Sequence, residues 1–403
     1  MVALSYLQTL TEAVRVSASA TNPGYTTLAA AITAAGSTTI SVTANAGFPQ
    51  TGSFSVMIDS EKLTVTAGQG TNTWTVTRGV SSTTAATHTS GTYVFQCATS
   101  LIPIEPVMFE PMVTRYDPAL MRNSFARFYE TVIVSEHSEI KGIKAPATFE
   151  TLTNWLSYAV KGGVTPTTSD SAAYTWAFTP TLTSDDLAGM GAEMGNDTAA
   201  YHIAALYCDQ MVIDITRGAE SAMVTVDLMG QQAFRMGAKS PGLTRTGLNI
   251  INPAYTSTYI DTTTIGTTAY NDVASAKITL KNGWQQLYFL NGVLYPTGIA
   301  RPTRNLDVEL IKWFDDATEL ENAMNSTGNG VERKLRLNAT GPVIAGSSSS
   351  NSLVVDAYLY WDAFPYKVDK EVWMTTFTGR TVYDVSAGDD WSMSLTNSLA
   401  AVP

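Results

Sequence analysis

The residues able to do chemistry in this chain are few and scattered. His88, His137 and His202 are the only histidines among 403 residues. None has a second histidine or a cysteine at metal-ligand spacing, so no metal site is expected. His137 lies beside Glu136 and close to Glu139, and reads as a half-exposed strand histidine rather than a general base. Paired acids occur at Asp185-Asp186, Asp315-Asp316 and Asp389-Asp390. A glycosidase needs two carboxylates facing each other across a sugar. Adjacent aspartates on one chain point apart, so these read as turn and helix-cap residues. There is no phosphate-cradling Gly-x-x-x-x-Gly-Lys-Ser/Thr loop, no Gly-x-Ser-x-Gly elbow and no dinucleotide fingerprint. No catalytic residue and no cofactor is therefore nominated. Cys97 and Cys208 read as two buried thiols, because nothing in the chain argues for an oxidising compartment. The aromatic residues are first of all packing residues of a β core.

Without a convergent polar cluster, the elements themselves carry the information. Over residues 48–80, Phe54, Val56 and Ile58 sit two apart, as do Leu63 and Val65, and Trp74 and Val76. That is strand periodicity, with Gly68-Gln69-Gly70 as a turn. Two or three short antiparallel strands are expected there, inside a compact β-module over residues 30–96 that follows an N-terminal arm, 1–29. Prolines at 103, 106, 111 and 118 confine any strand of that stretch to an edge. "ARFYETVIVSEHSEIKGIK" is a better strand. In "ATFETLTNWLSYAVKGG", Phe149, Leu152, Leu156 and Val160 fall at helical spacing. The spacing predicts an amphipathic helix over about 148–161, capped by Thr148 and stopped at Gly162-Gly163. Strands resume through "YHIAALY", "QMVIDITRG" and "SAMVTVDLMG". Residues 237–272 read as a long loop or insertion, reaching about 300 with the two Asn-Gly pairs at 282–283 and 291–292, which signal hairpins. "DDATELENAMNS" predicts a short helix, and the remaining segments are strands. The fold class expected is mainly β: an antiparallel sandwich or barrel-forming domain over 97–403, with one flanking helix and the small inserted module.

Composition sets limits on partners. Twenty-four Lys and Arg face 35 Asp and Glu, a net charge of −11. A protein that grips nucleic acid needs the opposite sign to displace counterions from phosphate. Charged residues make up only 15% of the chain and hydrophobic ones 44%, which suits a soluble globular protein whose surfaces meet other protein cheaply. No apolar run approaches the ~18–20 residues that span a bilayer. Met1 to Ala20 lacks a basic region followed by an apolar block, so no secretory leader is expected.

Residues 97–236 and 305–403 resemble the tail tube proteins of long, non-contractile-tailed bacteriophages. The matching pieces are "FEPMVTRYDPALMRNSFARFYETVIV", "FETLTNWLSYAVKGGVTP", "AYTWAFTPTLTSDD", "AAYHIAALYCDQMVIDITRGAESAMVTVDLMGQ" and "GRTVYDVSAGDDWSMSLTNSL". "TTISVTANAGFPQTGSFSVMIDSEKLTVT" with "NTWTVTRGV" and "THTSGTYV" is similar to a small β-module of many phage virion proteins. The resemblance implies a β-sandwich subunit that forms hexameric rings. These stack into a tail tube through which DNA passes without being bound, in a virion assembled in the host cytoplasm. It also implies tape measure, tail terminator and distal tail proteins as partners. The module would then decorate the outside, as a solubilising or ring-bracing insertion or a weak binder of surface sugars. In a shared lumen, alternation nominates Glu110, Glu130 and Glu136 on strands within 104–116 and 125–143, and Asp214 and Asp227 on strands 210–217 and 221–229. A surface adhesin or carbohydrate-binding β-protein, or another head or neck protein, is the alternative reading.

Overall fold

The computed structural model describes residues 10–16, 24–105, 107, 109–116, 132–162, 164–181, 189–195, 200–243, 249–300, 303–313, 318–324, 331–369 and 372–401. It is mainly β and antiparallel.

After β1 (Leu10–Val16), six short strands make the module: β2 (Tyr25–Thr27), β3 (Thr39–Ser41), β4 (Phe54–Ile58), β5 (Glu61–Ala67), β6 (Thr73–Thr77) and β7 (Tyr93–Gln96). Their sheet order is β2-β7-β4-β5-β6-β3. The alternating Val56, Ile58, Leu63, Val65, Trp74 and Val76 all face one core with Leu28, Ile40 and Phe48. Gly68 makes the turn between β5 and β6 at φ +80°, and a Cβ there would sit 2.2 Å from the Thr73 carbonyl oxygen, so only glycine fits. The module starts earlier than its sequence pattern suggests. Tyr25–Thr27, within the expected arm, pairs with β7. The arm is no loose extension either, since β1 pairs with two strands of the body.

The body continues with β8 (Ser100–Ile102), β9 (Glu110–Tyr116), β10 (Val132–Pro146), α1 (Phe149–Ala159), β11 (Thr167–Asp170), β12 (Ala173–Phe178), β13 (Gly189–Gly195), β14 (Ala200–Thr216), β15 (Met223–Gly230) and β16 (Ala233–Met236). There follow β17 (Thr256–Asp261), β18 (Ala269–Tyr270), β19 (Val273–Lys281), β20 (Gln285–Leu287), β21 (Gly298–Ala300), β22 (Asn305–Trp313) and α2 (Thr318–Ala323). The last strands are β23 (Arg333–Val343), β24 (Ser350–Ala363), β25 (Tyr366–Asp369), β26 (Val372–Thr381) and β27 (Trp391–Asn397).

Two layers enclose the core. One runs β9-β10-β15-β14-β19-β22-β26-β25, each strand antiparallel to the next. The other runs β18-β17-β23-β24-β27-β12-β11. The 17-residue β14 serves two sheets. Its second half lies between β15 and β19, and its first half pairs with β13 and β16. The switch falls at Ala205, which takes a positive φ of 50°. Residues 237–300 are less loop-like than their composition suggests, because β17 and β19 are integral to the two layers. Asn282-Gly283 is no hairpin turn. Asn282 is buried and donates to the Ala159 and Cys208 carbonyls. Asn291-Gly292 does lie in the loop that joins the paired β20 and β21.

The helix departs most from its expected amphipathic form. Thr148 caps it as predicted, its Oγ1 accepting from the Thr151 amide at 3.0 Å. Every residue of α1 is buried, however, because it packs against β14 of one layer and β12, β24 and β27 of the other. It packs across strands of both layers. Some of its polar residues find partners inside: Asn249 donates its backbone amide to Glu150 at 2.9 Å, and Asn397 donates to the Phe149 carbonyl at 2.8 Å and Thr153 Oγ1 at 2.7 Å, whereas the buried Asn154 amide has no hydrogen-bond partner among the described residues.

Candidate assembly surfaces

The three histidines do not make a site. His88 is not isolated, as its sequence setting suggests: Nδ1 meets Asp59 at 2.7 Å and Nε2 meets Glu61 at 2.9 Å. Glu61 also holds Arg78, and the whole cluster ties β5 to the segments that cover the module's core. Burial alone would raise the Glu61 carboxyl, yet bonds from Arg78, the Ala86 amide and His88 hold it down at about 2. His202 is buried in β14, its ring 4.9 Å from that of Phe95. His137 contacts Glu139 at 3.2 Å and the Tyr288 hydroxyl at 3.2 Å. Among the described residues no three His, Cys, Asp or Glu side chains are placed to hold a metal ion, and no helix is long and apolar enough to cross a membrane. Cys97 and Cys208 are both free and buried. Asp389 sits in the turn closed by the Asp384–Asp389 bridge; the other two aspartate pairs lie outside the described residues.

The five nominated acids separate. β14 and β15 pair as their alternation requires, with Met211, Ile213, Ile215, Val224, Val226 and Leu228 in the core. Asp214 and Asp227 are therefore on the opposite, outward face. Glu110 joins them, since it opposes Glu139, which in turn opposes Met229 on that same face. Glu136 does not. It shares the parity of buried Ser138 and Ile140, and accepts from Gln232 at 3.1 Å on the inner side. Glu130 lies outside the described residues.

Nor is the outward face purely acidic. The register lines up Met223, Asp214, Lys277, Glu309 and Thr378 across five strands. One step on, Asp307 bonds Lys281 at 2.8 Å and lies 3.6 Å from Arg380. Cations and anions alternate from strand to strand, which strand-by-strand reading cannot reveal. Asp227 also supports the backbone, accepting the Gly142 amide at 2.7 Å where β10 bulges.

Two hairpins stand out beyond the packed layers. In the first, β9 is exposed along its whole length and carries Met112, Val113 and Tyr116, while Val132 and Val134 are exposed on β10. In the second, Tyr366 and Val368 on β25 face solvent with Val372 and Trp373 on β26, beside exposed Trp313 on β22. Among the described residues, all register partners of β9 come from β10, and all those of β25 from β26. The first hairpin thus ends one edge of the eight-strand layer; at the other end β24 also pairs with β26, from Leu359 to Ala363, and joins the two layers, so that β25 alone projects there with a partner on one side. Both hairpins carry exposed apolar side chains, a template for another chain. They also lie at opposite ends. β9 pairs with Val132–Glu139 of β10, past the Gly230 end of β15, whereas Trp313 opposes Met374 beyond the row that starts at Met223. The prolines of the first hairpin mark it as an edge in the sequence. The second carries no such mark, because "YKVDKEVWMTT" reads as any polar-apolar strand until its neighbours are known.

The module is docked rather than tethered. Met57, Phe95 and Cys97 pack with Ala200, Ala204, Phe234 and Met236 of the body. Lys62 donates to the Pro241 carbonyl at 2.9 Å. Buried Glu193 accepts from the Ala98 amide at 3.0 Å and the Ser240 amide at 2.6 Å, locking the module's exit. The chain matches no protein-family model, and no curated protein matches it.

Proposed function

We propose that this chain is the structural subunit of a phage tail tube. Copies associate into rings, six to a ring as the family resemblance implies, and the rings stack into a conduit through which DNA leaves the capsid. The observation that carries this reading is the pair of exposed apolar hairpins at diagonally opposite corners of one sheet, whose outer strands β9 and β25 each pair on one side only among the described residues. Two different, outward-facing surfaces on one subunit favour heterologous, head-to-tail contacts, which propagate as stacks. Backbone pairing along β9 and β25 supplies direction, and the exposed side chains supply apolar burial. The outward face with Asp214 and Asp227 is the candidate lumen wall. Its alternating charges offer no continuous cationic track, and each phosphate left unneutralised removes a term from salt-dependent DNA affinity. No catalytic step or cofactor is assigned. Tape measure, terminator and distal tail proteins are the partners this role requires, and the virion tail is its location.

Negative-stain electron microscopy and analytical ultracentrifugation of the purified protein test the proposal. Rings or tubes of uniform width are expected. A protein that stays monomeric at every concentration and ionic strength would overturn it.

A further inference from the structure

Beside the root of the first hairpin is a cavity of about 320 Å³. Phe109, Val113 and Tyr201 give it apolar walls, and Glu136, Gln231 and Gln232 give it polar ones. At the small end of the range for ligand pockets, ~300 Å³, it suits one aromatic side chain better than a cofactor. His137 and Ser138 also line it, but among the described residues no three His, Cys, Asp or Glu side chains are placed to hold a metal ion. At the far corner of the same sheet stands a convex counterpart, with Trp373 opposite Val368 in register and 59% exposed. Lys367, between Tyr366 and Val368, is exposed on this tip. The socket carries Glu136.

We propose that copies of this chain stack through a knob-and-socket joint. The β25–β26 tip of one copy, led by Trp373, seats in the cavity beside the β9–β10 hairpin of the next. The inference rests on the tube reading and names its axial contact. Three features select a second copy as the occupant. Knob and socket lie at opposite ends of one layer, so a head-to-tail stack brings them together and no fold-back within one chain can. An exposed indole and a small, partly apolar cavity are complementary in size and chemistry. The knob carries Lys367 and the socket Glu136, opposite charges that set polarity and disfavour knob against knob. The joint also gives Glu136 a role that its separation from Asp214 and Asp227 leaves open.

Cysteine cross-linking tests the joint, and buried Cys97 and Cys208 leave the background low. Val113→Cys and Val368→Cys proteins are made separately, mixed and oxidised. Disulfide-linked pairs are expected in the mixture and neither protein alone should give them. Trp373→Ala, checked for folding by circular dichroism, should form rings but stack at least tenfold less. Lys367→Glu and Glu136→Lys should each weaken stacking, and mixing the two should restore it. Tubes that form normally with Trp373→Ala and give no cross-link in the mixture would overturn the joint while leaving the tube intact. Failure of the unaltered protein to self-associate would overturn both.

Discussion

Arg78 grips Glu61 through two parallel bonds of 2.7 Å, Nε to Oε1 and Nη2 to Oε2, with both side chains almost wholly buried. This bidentate pair, with His88 on the same carboxylate, is the main polar anchor of the module. Breaking one partner of such a pair leaves an uncompensated buried charge, at a cost of about 3–5 kcal/mol. Glu61→Ala and Arg78→Ala should therefore open the module ahead of the body, seen as faster hydrogen exchange at the β5 and β6 amides.

The same carboxylate makes the module sensitive to acid. Its ordinary value of 4.5 falls to about 2 in the folded protein. A depressed carboxylate contributes stability that is fully present above the unfolded value and is lost as pH falls through the folded one. Module stability should thus decline between about pH 4.5 and 2. In Glu61→Gln that part of the dependence should flatten, as read by urea unfolding at a series of pH values.

Removing the module should not be neutral. A Gly/Ser linker in place of 30–96 strands β2 without its partner β7 and uncovers Phe234 and Met236. The expected product binds a hydrophobic dye and aggregates. Further substitution of Phe234 and Met236 by serine should restore solubility. Full solubility of the simple deletion would mean that the docking contact contributes little.

The two acids of the outward face should behave differently on neutralisation. Asp227→Asn weakens the acceptor that holds the Gly142 amide at the bulge, and is expected to cost ~1–2 kcal/mol. Asp214→Asn keeps an acceptor for the Thr216 hydroxyl, 2.8 Å away at an exposed position, and should stay within ~0.5 kcal/mol. Thermal unfolding of both variants separates these outcomes.

Helix α1 should depend on a single distant side chain. Asn397→Leu removes the donor shared by the Phe149 carbonyl and Thr153 Oγ1 in a buried site. A loss of ~1–3 kcal/mol is expected. A calorimetric melting temperature unchanged from the parent protein would show that these acceptors find other partners.

Local features are legible in the residues alone. Period-two alternation places β4, β5, β6, β14 and β15 and sorts their faces, because side chains of an extended chain alternate whatever the partner strand is. The Thr148 cap and the apolar spacing place α1, since capping and helical period act within one turn or two. Features that depend on which elements stand side by side emerge only in the packed fold. Packing buries the polar side of α1, by supplying Glu150 with Asn249 and Thr153 with Asn397, partners 99 and 244 residues away. It takes Glu136 off the face of Asp214 and Asp227, since which residues of β10 are core-facing depends on where the strand bulges against β15. It sets Lys277 between Asp214 and Glu309, and His88 between Asp59 and Glu61, by register and by loop closure. The two exposed hairpins belong to this second class. An apolar residue on a strand is equally legible in a core or at an edge, and only the pairing of the other strands shows which edge is left open.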